Sequence, residues 1–121
     1  MALKVKRFET PYGLTLENVY FRICMITYVD NAEVLKYKGV FYVNEDVRNE
    51  DKLKYITGEG MDFEGFIHLK EDVKALNLFE YCYNHIKSYA KEVEEKLKVA
   101  KEDEKQFINT RYLMFLEAED C

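Results

Sequence analysis

Proline and glycine are scarce in this sequence, with one Pro and five Gly among 121 residues. This scarcity excludes collagen-like, polyproline-rich and flexible Gly/Ser-linker architectures. No stretch reaches the roughly 18 apolar residues of a membrane-spanning helix, and the start of the chain holds no continuous apolar segment typical of secretory signals. We therefore expect no membrane partner and a protein that is made and kept in the cytoplasm.

Cysteine is also sparse, with Cys24, Cys82 and Cys121 far apart along the chain. Their odd number argues against a disulfide framework, and no CxxC or Cys/His spacing suits zinc. Cys24 and Cys82 lie in apolar runs, which predicts small buried side chains in a reducing compartment. We expect neither a metal nor a cofactor.

Positive charge is in deficit, since 18 Lys and Arg face 23 Asp and Glu and leave a net charge of -5. Few of the basic residues are Arg, the residue best suited to bidentate phosphate contacts. Lysines are interleaved with acids through most of the chain. Because attraction to phosphate is a main term in nucleic-acid binding, we expect no nucleic-acid partner.

Apolar side chains, in contrast, are plentiful, with 48% hydrophobic and 15% aromatic residues. The length corresponds to a single domain over residues 1–121, of which 1–70 are predicted to be mainly β. Four segments have the alternation or the β-branched and aromatic content of strands, and they are 2–9, 16–29, 34–44 and 63–69. The middle two are predicted to pair as an antiparallel hairpin.

The two hairpin strands differ in the pattern of their faces. Both faces of the first are largely apolar apart from Arg22, which predicts a central strand covered on both sides, in a sandwich or under a helix. The residues expected to share one face of this strand are Val19, Phe21, Ile23 and Met25. Those expected to point inward from the second are Leu35, Tyr37, Phe41 and Val43. Gly39 falls on that same inward face.

From about residue 71 apolar residues recur every three or four positions, which predicts a long amphipathic helix over 71–105. Residues 106–121 are predicted to form a short C-terminal element and an acidic tail. The fold class is thus predicted to be α+β, an antiparallel sheet or compact β-sandwich with a long C-terminal amphipathic helix. The apolar seam of that helix consists of Leu76, Phe79, Tyr83, Ile86, Ala90, Val93, Leu97 and Ala100.

The end of this seam leaves two alternatives open. A helix of about 30 residues would be about 45 Å long, more than a domain of this size spans. We therefore predict that Val93, Leu97 and Ala100 contact a neighbouring subunit or another protein. In the alternative, residues 107–116 fold back as a helix or strand and cover the same seam within the chain.

Residues with reactive chemistry form no recognisable constellation, so we predict no catalytic residues and no enzymatic activity. His68 and His85 are the strongest candidates, and we interpret both as structural because no partner motif accompanies them. Residues 58–60 form a Gly-Glu-Gly step without the GK[ST] of a phosphate loop. The middle of the chain is acidic but lacks the spacing of a calcium loop. Its carboxylates are Asp46, Glu50, Asp51, Glu59, Asp62 and Glu64.

Four segments in order carry a resemblance: FETPYGLTLENVYFRI at 8–23, VNEDVRN at 43–49, FEYCYNHIK at 79–87 and EDC at 119–121. They resemble a group of small proteins encoded among the virion structural genes of tailed phages that infect Firmicutes. In that group a Y-G-(I/L)…E-x-A-Y-x-R-I start, a D-x-x-A-R-like turn, an A-Y-x-x-L-K helix and a terminal D-C recur in this order. The present chain departs from the pattern by a charged extension at 91–106.

This resemblance implies a structural subunit of a tailed-phage particle, associated with the tail, neck or baseplate and free of catalysis. Its partners would be other phage structural proteins and copies of itself, with no small-molecule substrate. The expected location is the virion, after synthesis in the cytoplasm of the host bacterium. The alternative is a small acidic phage-encoded inhibitor that binds a host protein as a negatively charged decoy.

Overall fold

The computed structural model of the chain describes residues 2–10, 12–29, 33–68 and 78–121. Five antiparallel strands form one sheet in the order β4-β3-β2-β1-β5, and a long helix follows, which confirms the α+β prediction. The strands are β1 Leu3–Glu9, β2 Thr15–Val29, β3 Val34–Tyr42, β4 Asp62–His68 and β5 Glu119–Asp120. The helices are α1 Glu45–Glu50, α2 Leu78–Val99, α3 Glu102–Lys105 and a 3₁₀ helix Thr110–Phe115.

Helix α2 and the 3₁₀ helix cover one face of the sheet, which we call the inner face. Inward side chains of β1 to β4 pack with both helices in one core. The layer that covers the sheet is therefore helical. Of the two predicted alternatives, a single sheet and a β-sandwich, the structure has the single sheet. Strands β2 and β3 pair as predicted, with Val29 opposite Val34 at the hairpin end.

Strand β2 contains a bulge at Cys24 that sequence alternation did not predict. The register with β3 shifts between Ile23 and Met25, so the alternation of faces breaks there. Ile23 is 2% exposed, whereas Met25 is 50% exposed and does not share its face. Cys24 is exposed as well, so the prediction that it is buried was wrong. Gly39 lies opposite Ile23, and a methyl group added there would overlap the ring of Phe21.

Strand β3 confirms the inward placement of Leu35, Tyr37 and Phe41, which are all buried. Val43 was assigned to the same face but is 51% exposed. The reason is that β3 ends at Tyr42 and the chain turns into α1. Asn44 caps that helix by accepting a hydrogen bond from the Val47 amide at 2.9 Å, which removes Val43 from the sheet.

The outer face of the sheet is partly apolar and partly ion-paired. Tyr20 and Tyr42 are buried there in a small cluster with Ala2 and Val40, so β2 is covered on both sides near its start, as predicted. Farther along, β3 and β4 are joined by lysine–carboxylate pairs. These are Lys38 with Asp62 at 3.2 Å and Lys36 with Glu64 at 3.7 Å.

The long helix is shorter than predicted at its C-terminal end. Residues 71–77 of the predicted helix, including Leu76, lie outside the described residues. Helix α2 ends at Val99 and α3 is a separate helix, because Lys101 adopts an extended conformation with φ -74° and ψ 159°. The acidic tail is not free, since β5 pairs with β1 and Lys87 contacts Asp120 at 2.8 Å.

The apolar seam of α2 is covered largely by its own chain. Val93 is 1% exposed and belongs to the core, while Leu97 and Ala100 are partly buried. The 3₁₀ helix folds back and contributes Tyr112 and Phe115 to the same core. The prediction of an intermolecular contact through Val93 is therefore corrected in favour of the alternative, in which residues 107–116 cover the seam.

Candidate functional site

The two histidines singled out in the sequence border one cavity of about 570 Å³. His68 is the last residue of β4, and His85 projects from the first half of α2. The cavity lies between these elements and the segment that leads into the 3₁₀ helix. We call it the histidine cavity, and its polar lining includes His68, His85, Ser88, Tyr89, Glu92 and Lys96.

His85 lines this cavity and lies in a cluster with buried tyrosines. Its Nδ1 lies 3.1 Å from the Tyr37 hydroxyl, which lies 3.1 Å from the Tyr112 hydroxyl. The Tyr37 hydroxyl therefore bridges the two groups, donating to one and accepting from the other. The imidazole also stacks on Tyr89, with ring centroids 5.2 Å apart and planes inclined by 15°.

Electrostatics favour a neutral imidazole at this position. Burial lowers the pKa of His85, and the nearby charge of Glu92 opposes this effect without reversing it. Burial also raises the pKa of Tyr37, so its hydroxyl remains protonated. The Ser88 hydroxyl donates to the His85 carbonyl oxygen at 3.2 Å, so the serine is engaged with the backbone. The cluster therefore satisfies buried hydroxyls and supports the structural interpretation of His85.

A second cavity of about 580 Å³ opens on the other face of the sheet. It lies between β2, β3 and the segment after α1, and we call it the basic cavity. Four cationic side chains line it, namely Arg22, Lys38, Arg48 and Lys52. Lys38 is neutralised by Asp62 at 3.2 Å. Within the described part of the chain, the other three form no ion pair.

Local structure explains how these cations meet. Arg22 stands between the inward residues Phe21 and Ile23, so its side chain emerges on the outer face. Arg48 lies in the last turn of α1. Lys52 is held close by because its carbonyl oxygen accepts a hydrogen bond from the Tyr42 hydroxyl at 2.7 Å.

The Tyr42 hydroxyl lies near both guanidinium groups. Burial raises the pKa of Tyr42, and the charges of Arg48 and Arg22 act in the opposite direction. The Nε of Arg48 is buried without a hydrogen-bond partner among the described residues. A buried donor left unpaired costs about 1–3 kcal/mol. In a chain of net charge -5, such a cluster of unpaired cations favours binding of an anion.

Sequence reasoning did not find the basic cavity. Arg22 and Arg48 are far apart in the sequence, and no motif links them with Lys52. The one local signal is Arg22 itself, a charged residue inside an otherwise apolar strand. Convergence of the three side chains depends on the turn that α1 makes over the outer face.

The acidic residues of the middle segment are dispersed and mostly paired. Glu50 contacts Lys54 at 3.2 Å, and Asp51 accepts a hydrogen bond from the Leu53 amide at 2.9 Å. No three His, Cys, Asp or Glu side chains are grouped to hold a metal ion in the described ranges. Gly58 and Gly60 have positive φ and form a turn rather than a phosphate cradle.

A third feature is a pair of exposed apolar side chains on either side of α3 in the chain. Val99 is 83% exposed at the end of α2, and Phe107 is 84% exposed after α3. Both residues belong to, or directly follow, the charged extension 91–106. They flank α3, and Phe107 also borders the histidine cavity together with the half-exposed Phe66.

Comparison of the chain with known protein families, curated proteins and solved structures found no match. Of the helices that the structure describes, none is long and apolar enough to cross a membrane.

Proposed function

We propose that this protein is a structural subunit of a tailed-phage particle, associated with the tail, neck or baseplate. It acts by contacting other particle proteins and copies of itself, without catalysis, and its place of action is the virion. The ordered resemblance of segments 8–23, 43–49, 79–87 and 119–121 to small phage structural proteins supports this proposal. The exposed apolar surface beside α3 supports it independently.

The observation that carries the proposal is the exposure of Val99 and Phe107. Exposed apolar surface is stabilised when a partner removes it from water, at about 25 cal/mol per Å². Two large apolar side chains more than four-fifths exposed contribute little to the core of their own chain. We therefore propose that Val99 and Phe107, at the end of α2 and directly after the extension, make the contact with other particle proteins, and that Val93 does not.

The proposal is tested with the double variant Val99→Ser/Phe107→Ser in a bacterium that produces the particles. We expect an unchanged Tm for the isolated protein, because neither side chain is buried. We expect its abundance in purified particles, measured by mass spectrometry, to fall about tenfold, as for loss of roughly 1.4 kcal/mol of contact energy.

A matched control is Tyr12→Ser/Leu14→Ser, which removes two exposed apolar side chains from the segment between β1 and β2. Tyr12 is 75% and Leu14 64% exposed, and this variant should join particles like the unchanged protein. If the unchanged protein stays in the soluble lysate, bound to a host protein and missing from particles, the proposal is wrong. That result would favour the acidic inhibitor.

A further inference from the structure

We propose that the basic cavity is a binding site for a small organic anion that combines one acidic group, a phosphate or a carboxylate, with an aromatic ring. The anion is a bound ligand and not a substrate. This inference does not depend on the proposed phage function. It is carried by three cations without an ion pair and by an apolar wall, all around one cavity.

The charge of the cavity selects an anion. Arg22, Arg48 and Lys52 line it, and no carboxylate of the described residues forms an ion pair with them. Lys38, the fourth cation of the cavity, is already paired with Asp62, which also lines the cavity. A guanidinium group matches the geometry of a phosphate or carboxylate and binds it through paired N–H donors.

Arg48 can contact a ligand only through the part of its side chain that remains exposed. Its Nε is buried and makes no hydrogen bond to the described residues, so a group in the open cavity does not reach that atom. Arg48 as a whole is partly exposed and lines the cavity, and its neighbour Tyr42 is already engaged with the Lys52 carbonyl oxygen. An acidic group in the cavity would contact the accessible part of the Arg48 side chain.

The rest of the cavity wall is apolar and favours a ligand that has apolar faces. Met25, Leu53 and Tyr55 line the cavity and are 50%, 78% and 38% exposed. Tyr42 and Tyr55 meet edge to face, with centroids 6.3 Å apart and planes inclined by 82°. Aromatic rings favour such offset and perpendicular contacts, so a ligand ring can extend this pair.

The size of the cavity limits the ligand to a small molecule. Its volume of about 580 Å³ lies in the range of roughly 300–1,000 Å³ that is typical of small-molecule sites. The negative net charge of the whole chain disfavours a polyanion, whose phosphates would extend beyond the three cations. One ring with one acidic group fits both the charge and the volume.

Calorimetric titration of the intact protein with phenyl phosphate, benzoate, inorganic phosphate and phenol tests the proposal. We expect phenyl phosphate or benzoate to bind at least about tenfold more tightly than inorganic phosphate or phenol, because only the first two use both parts of the site. Tighter binding of phenyl phosphate assigns a phosphate as the acidic group, and tighter binding of benzoate assigns a carboxylate.

The variant Arg48→Met should lower the affinity for the better of these two ligands by at least about tenfold. It should not lower the Tm of the unliganded protein, because it removes the unpaired nitrogen and keeps the apolar stem. Lys52→Gln changes an exposed side chain and is expected to fold, with an affinity lower by about two- to fivefold. The matched control Arg7→Gln removes an exposed charge outside the cavity and should leave the affinity within about twofold.

Three results would overturn the proposal. The first is that neither phenyl phosphate nor benzoate binds. The second is that inorganic phosphate binds as tightly as both, which would leave the apolar wall without a role. The third is that Arg7→Gln weakens binding as much as Lys52→Gln or Arg48→Met, which would show attraction to the whole surface instead of to this cavity.

Discussion

Tyr37 is a polar side chain within the core on the inner face of the sheet. It is fully buried, and its hydroxyl contacts His85 Nδ1 and the Tyr112 hydroxyl. Gly65 of β4 pairs directly with Tyr37 of β3. A methyl group added at Gly65 would overlap the side chains of Tyr37 and Tyr112. A glycine on one strand thus makes room for a large polar residue on the next.

His85 makes the stability of the protein depend on pH. Burial lowers its pKa below the ordinary 6.5, so in mildly acidic solution the unfolded chain binds a proton that the folded chain does not. Stability therefore falls as the pH falls from about 6.5 towards the lower pKa of the folded state. We expect the Tm of the unchanged protein to drop more between pH 7 and pH 5 than the Tm of His85→Asn.

The comparison between the two proteins removes the contribution of the carboxylates, which is common to both. The amide introduced by His85→Asn keeps an acceptor for the Tyr37 hydroxyl and does not titrate in this range. Superimposable profiles for His85→Asn and the unchanged protein would contradict the prediction.

Helix α2 is amphipathic, and its apolar residues lie partly in the core and partly at the surface. Its buried residues are Cys82, Tyr83, Ile86, Ala90 and Val93. Burial raises the pKa of the Cys82 thiol to about 11 and that of Tyr83 to about 12. The Tyr83 hydroxyl accepts a hydrogen bond from the Ile23 amide at 2.7 Å, which fixes the helix on β2 beside the bulge.

Val93 and Val99 provide a matched test of this division. Both belong to α2, but Val93 is 1% exposed and Val99 83% exposed. We expect Val93→Glu to lower the free energy of unfolding by about 3–5 kcal/mol, because it buries an uncompensated charge. Val99→Glu should change it by less than about 0.5 kcal/mol. Denaturant melts of the isolated variants measure both, and equal effects would show that the seam is not covered by its own chain.

At the scale of the whole molecule, the core is closed by its C-terminal segment. Phe115 of the 3₁₀ helix contacts Phe21, Phe41 and Phe63, with centroids 5.0, 6.4 and 4.9 Å away. These partners come from three different strands. The core is therefore complete only after the chain has returned from the end of α2.

Phe115→Ala should thus destabilise the entire fold. We expect a loss of about 3–5 kcal/mol in the free energy of unfolding, typical of a buried phenylalanine replaced by alanine. Phe107→Ala is the control of the same residue type, since Phe107 is 84% exposed, and should cost less than about 0.5 kcal/mol. A neutral Phe115→Ala would contradict the described position of the 3₁₀ helix.

The sequence by itself predicted strands β1 to β4, the hairpin of β2 and β3, a long helix and the α+β class, but not the short strand β5. Strand alternation and the spacing of apolar residues in a helix are local properties, so Tyr37, Phe41 and Ile86 could be assigned to the core from their neighbours alone. The same local reasoning predicts a structural role for His85. It was wrong at Met25 and Val43, because a bulge and a helix cap interrupt the pattern at single residues.

Only the tertiary structure decided which surfaces remain free and which side chains meet. Val93 lies on the predicted apolar seam and Val99 does not, but only the return of residues 107–116 decides that the chain itself covers the seam at Val93. Arg22, Arg48 and Lys52 meet because α1 and the segment after it turn over the outer face of the sheet. Burial and convergence depend on contacts between residues distant in sequence, and a local pattern contains no information on where the chain returns.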